Sequence, residues 1–156
     1  MSFSIKLAIA LTIIFNLGCS KATDTGPMGK DILARIYSNH KEVFVDLREQ
    51  IVDELGKGRI LEIGEKGIEV SGLDAARHQN YIEKLTKIEI ERITAFRNEE
   101  NSIEVEFLVA RTGMAFSGCS STISYLSEGQ PFKPEWADPY VSIDFGEGWF
   151  GESKCN

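Results

Sequence analysis

Long hydrophobic runs are nearly absent from these 156 residues. The longest begins after Lys6 and reads LAIALTIIFNLG before Cys19. Twelve residues rising about 1.5 Å each span roughly 18 Å, short of the ~30 Å hydrocarbon core of a bilayer. A stable membrane-spanning helix is therefore not expected. Histidine is scarce, with only His40 and His78. They sit on different segments, with neither HxxxH nor CxxC spacing, so the usual grounds for a metal site are missing. No G-x-S-x-G, P-loop or Rossmann glycine pattern occurs, and no cofactor is expected. Positive charge is in deficit: 17 Lys and Arg stand against 24 Asp and Glu, a net charge of −7. That balance disfavours nucleic acid and anionic headgroups as partners. Internal repeats and low-complexity tracts are also lacking.

What the chain does have starts at its N-terminus. One basic residue, a short apolar stretch and a small residue before Cys19 read as an export signal over residues 1–18. Leu17-Gly18-Cys19 resembles the lipobox of bacterial lipoproteins. The resemblance implies a small exported lipoprotein, acylated on Cys19, which becomes the first mature residue. Asn16 departs from the aliphatic residue that family prefers. Ser20 follows the cysteine in place of Asp, which by the same resemblance implies the outer membrane, facing the periplasm or the cell surface. The alternative is cleavage after the A-x-A-like Ser20-Lys21-Ala22, which gives a soluble periplasmic protein.

Residues 1–18 carry one lysine and no acid, so the remainder has 16 basic and 24 acidic residues, a net charge of −8. Residues 19–30 are polar and contain Gly26-Pro27 and Gly29, as a lipid-anchored linker would. Residues 31–156 suffice for one domain. Of three cysteines, Cys119 and Cys155 remain once Cys19 is acylated or removed, an even pair in an oxidising compartment. Their bridge would close a loop of about 37 residues, worth roughly 3–4 kcal/mol in the chain-entropy model.

Asp31 to Gly56 is expected to form the main helix. Leu33, Ile36, Tyr37, His40, Phe44, Leu47, Ile51 and Leu55 recur at helical spacing, Ile32 and Val43 widen the stripe, and Asp31 caps the start. Gly56-Lys57-Gly58 ends it. Arg59–Gly64 and Gly67–Gly72 read as a hairpin. Asp74 caps a second helix from Ala75 to about Thr86, with Ala75, His78, Ile82 and Leu85 on one face and Tyr81 beside them. A strand follows within Lys87–Arg97, with a bulge expected at Glu91-Arg92. Ile103, Val105, Phe107 and Val109 then alternate with Glu104, Glu106, Leu108 and Ala110, the clearest strand in the chain. Thr112-Gly113 reads as a turn, with separate strands at Met114–Gly118 and Ser120–Leu126. Glu128 to Pro139 carries three of the four prolines and reads as a surface loop. A closing hairpin spans Tyr140 to Phe150. The order predicts an α+β fold, with two helices packed on one face of an antiparallel sheet.

Candidate chemistry is sparse. Glu99-Glu100 and Glu104-x-Glu106 lack the loop spacing of a calcium site. Gly118-Cys119-Ser120-Ser121 offers a thiol or hydroxyl nucleophile. A periplasmic hydrolase using Cys119 or Ser120 with His40 or His78 is thus one reading. It needs a base within hydrogen-bond reach, and export favours a disulfide at Cys119. Phe132, Trp136 and Tyr140 cluster in and after the Pro-rich loop, where large aromatics either anchor a partner or cover the core. Glu135 and Asp138 flank Trp136 with acidic charge. The segment from Gly113 to Trp149 also resembles a group of small exported bacterial proteins, with a Gly-rich strand pair ending at Tyr125, a Pro-rich loop and a Gly-x-Gly-Trp closing strand. That resemblance implies no activity. The first expectation is therefore a lipid-anchored envelope domain with a binding or protective role toward a basic envelope protein or toxin.

Overall fold

The structure is a computed structural model and describes residues 27–56, 60–64, 73–114 and 117–156. The export segment, Cys19 and the run Gly67–Gly72 lie outside the described residues. Among the described residues, two helices, α1 (Lys30–Glu54) and α2 (Ala75–Lys87), accompany six strands. The strands are β1 (Ile60–Gly64), β2 (Arg92–Arg97), β3 (Ile103–Met114), β4 (Ser117–Leu126), β5 (Tyr140–Gly146) and β6 (Trp149–Cys155). They form one antiparallel sheet in the order β1-β2-β3-β4-β6-β5, so the fold is α+β. No helix among the described residues is long and apolar enough to cross a membrane.

Strand alternation gives the sheet two unlike sides. One side, here the inner side, carries the cross-strand row Leu61, Ala95, Val105, Tyr125 and Trp149. The next inner row runs Ile63, Ile93, Phe107, Ile123 and Gly151. Phe44 of α1 meets Phe107 edge-on at 5.0 Å, and Tyr37 stacks on Phe145 at 4.4 Å. Tyr81 and Leu85 of α2 join the same apolar cluster. Gly151 leaves room for this packing, because a Cβ there would come within 2.8 Å of the Phe145 ring.

The α1 stripe buries Leu33, Tyr37, Phe44, Leu47 and Ile51, with Leu55 buried at the cap. Ile32 departs from the expected stripe and stays 41% exposed. Asp31 lies in the first turn; the cap position is Gly29, with no side-chain cap. His40 leaves helical geometry (φ −128°, ψ 16°) and divides α1 into two segments. Met28 and Gly29, expected in the linker, already belong to the domain. The Met28 N–H donates to Ser153 Oγ at 2.8 Å, and the Gly29 carbonyl accepts from Leu33 N–H.

Asp74 caps α2 as expected, its carboxylate accepting from the Arg77 N–H at 2.9 Å. Tyr81, not Ala75, lies on the buried face. After α2 the structure corrects the expected strand start. Glu89 takes a left-handed conformation (φ 57°), Ile90 N–H bonds to the Leu85 carbonyl, and Glu89 N–H bonds to that of Thr86. These two bonds form a Schellman motif, completed by the buried pair Leu85 and Ile90. Strand β2 therefore begins only at Arg92, and its described partners are β1 and β3.

Strands β3 and β4 differ most from expectation. Thr112 and Gly113 do not turn the chain; they remain in β3 and pair with Cys119 and Gly118. Met114–Gly118 and Ser120–Leu126 are not separate strands, because β4 is continuous from Ser117 to Leu126. The irregularity falls at Val109, between the pairs Leu108–Thr122 and Ala110–Ser121. One extra residue there moves Ala110 to the inner side and Arg111 to the outer. The closing hairpin turns through Glu147 and Gly148, both at positive φ, as a two-residue primed turn requires.

Candidate functional site: an acidic groove on the outer sheet face

The outer side of the sheet carries a row that is polar except at Phe150: Glu62, Thr94, Glu106, Ser124, Phe150 and Asp144. Beside it, Leu108, Thr122, Glu152 and Ser142 form another. The Pro-rich segment after β4 passes along this side. Between them lies an open groove of about 360 Å³. Its floor includes Glu106, Ser124 and Glu152, and Phe96 and Phe132 flank it. Phe132 is 78% exposed, so it is not part of the core.

Among the described residues, four carboxylates line the groove, those of Glu104, Glu106, Glu128 and Glu152, against the single ammonium of Lys154. None of the four forms an ion pair among the described residues. Burial pushes the Glu106 carboxyl above its usual value; Lys154 and Arg92 oppose that rise, and Glu104 and Glu152 add to it. Glu152 is almost fully buried and accepts the Tyr140 hydroxyl at 2.6 Å. Burial and that bond push the Tyr140 phenol up to about 12. Tyr140 thus acts as a structural partner of Glu152, which constrains its use as a contact residue. Two further hydroxyls on the outer side, Thr122 Oγ1 and Ser124 Oγ, are buried with no hydrogen-bond partner among the described residues.

Trp136 belongs to a different place from Phe132. It is 58% exposed and borders a neighbouring depression with Arg111, Ser120 and Lys154. The acidic surroundings expected for Trp136 from Glu135 and Asp138 thus meet basic side chains brought in by β3 and β6. The loop is held at its base by Ala137, which is buried, and by Asp138 N–H donating to the Cys155 carbonyl.

The nucleophile candidates do not come together. Cys119 Sγ is bonded to Cys155 Sγ at 2.02 Å, the two residues standing directly opposite on β4 and β6. Ser120 alternates to the outer side, where its neighbours are Arg111 and Lys154. His40 is on α1, which packs against the inner side, and His78 is on α2, which packs beside β1. No three His, Cys, Asp or Glu side chains among the described residues converge as a metal-ligand set. Glu106 and Glu104 were visible as the polar face of a strand, but Ser124 and Glu152 carried no signal of their own. Only the strand order β3-β4-β6 brings them beside Glu106.

No protein-family model, curated protein or solved structure matches the chain.

Proposed function

We propose that the chain is an exported, lipid-anchored cell-envelope protein, acylated at Cys19, whose domain binds a basic partner and carries out no catalysis. The observation that carries the binding half is the groove flanked by Phe132. An exposed aromatic on a proline-stiffened loop, beside carboxylates that form no ion pair among the described residues, offers a pre-ordered apolar and anionic contact for a basic group. The anchoring half rests on Leu17-Gly18-Cys19 and the apolar segment before it.

The two halves are tested together in intact cells. A labelled fatty acid should enter the wild-type protein and not Cys19→Ala; a mature N-terminus at Thr23 without label would mean soluble export. A photo-crosslinking residue at position 132 should capture an envelope component that one at position 42, on α1, does not. Equal capture from both positions would remove the binding reading.

A further inference from the structure

We propose that the outer groove is a receptor site for one organic cation, an ammonium or guanidinium group, seated over Glu106 and Ser124 between Phe96 and Phe132. The inference rests on the partner-binding reading above and names the chemistry that site recognises.

Hydrogen-bonding capacity points first to a donor. Ser124 is 2% exposed, lines the groove, and its Oγ has no hydrogen-bond partner among the described residues. A buried hydroxyl without a partner is rare in folded proteins and calls for an explanation. Its immediate neighbour across β3 is Glu106, an acceptor when ionised. Ammonium and guanidinium groups only donate, three and five hydrogens respectively. A ligand of that kind satisfies the hydroxyl and the carboxylate together.

Charge agrees. Four carboxylates against one lysine repel an anion. Lys154 does not fill the need, since it pairs with none of them at ion-pair distance. A metal ion is a poor fit, because these carboxylates do not converge. The flanks select an organic cation over a hydrated one. Phe96 is 40% exposed and Phe132 more so, and aromatic faces attract weakly hydrated cations. A volume of about 360 Å³ suits one side chain or a small amine rather than a folded element.

The test is a set of binding titrations on the folded domain with n-butylguanidinium, n-butylammonium and the peptide acetyl-Gly-Arg-Gly-Arg-Gly-amide. Wild type should bind at least one probe. Glu106→Gln should weaken that binding by about tenfold, through loss of a charge-paired acceptor. Phe132→Ala should cost about threefold, and so should Ser124→Ala. Glu42→Gln removes the same charge on α1 and should change nothing. Phe132 is exposed, so Phe132→Ala leaves the fold intact and reads binding apart from any change of stability in Glu106→Gln. Tighter binding of the peptide than of the small probes assigns the cation to a protein partner's side chain; equal binding assigns it to a free amine. If no probe binds, or if all variants bind like wild type, the inference is overturned. Crosslinking from position 132 would then still stand or fall separately, so loss of the cation site and loss of the partner are distinguishable.

Discussion

Glu106 and Ser124 face each other directly across β3 and β4, on the side of the sheet opposite Phe107 and Ile123. Burial raises the Glu106 carboxyl above the usual value of a glutamate, so the folded state holds that proton more tightly than the unfolded chain. The sign follows from linkage. The stability contribution is full below the unfolded value and is lost as pH rises through the higher folded one. Lys154 and Arg92 limit the loss; Glu104 and Glu152 deepen it. Glu106→Gln should therefore melt above wild type at pH 7 and level with it at pH 4. A variant that melts lower at pH 7 would show that the ionised carboxylate is held by favourable contacts.

The Cys119–Cys155 bridge joins residues 36 apart in sequence and ties the last strand to β4. In the chain-entropy model its loss costs roughly 3–4 kcal/mol. Cys119→Ser and Cys155→Ser should each lower denaturant stability by similar amounts, and the double variant should be no worse than either. Two reactive thiols in the oxidised wild-type protein would contradict the bridge.

The two tryptophans should behave oppositely. Trp149 is buried against Phe44, Phe107 and Tyr125, while Trp136 stands at the rim of the outer face. Trp149→Ala should cost about 3–5 kcal/mol, as truncation of a large core aromatic does. Trp136→Ala should leave the melting temperature nearly unchanged. It should also remove most of the acrylamide-quenchable fluorescence. A large stability loss at position 136 would place that ring in the core and remove it from any contact surface.

Glu89 occupies the left-handed position that ends α2, where glycine is the usual residue. Glu89→Gly should relieve a backbone cost of about 1 kcal/mol, partly offset by added freedom of the unfolded chain. A modest rise in melting temperature is expected, and a fall would mean that the Glu89 side chain contributes more than its backbone strain costs.

That same residue explains part of what the sequence concealed. Helical and strand periodicities were plain, so α1, α2, the Val105–Phe107 strand and the closing hairpin were legible. A Schellman ending without glycine leaves no mark, and Ile88 and Ile90 then imitate a strand through their alternation. Thr112-Gly113 looks like a turn because glycine is permissive, yet pairing with Cys119 and Gly118 keeps it in the sheet. The groove was least visible. Alternation told which residues share a face of one strand. It could not tell that β6 lies between β4 and β5, which sets Glu152 and Lys154 beside Glu106 and separates Phe132 from Trp136.

Chemical-shift mapping tests the central claim, that the outer groove recognises a cation. Isotope-labelled protein is titrated with n-butylguanidinium and the backbone amides are followed. The largest shifts should fall on Glu106, Ser124 and Phe132, with those of α1 unmoved, and should vanish in Glu106→Gln. Shifts centred on Arg111 and Trp136, or none at saturating ligand, would contradict it.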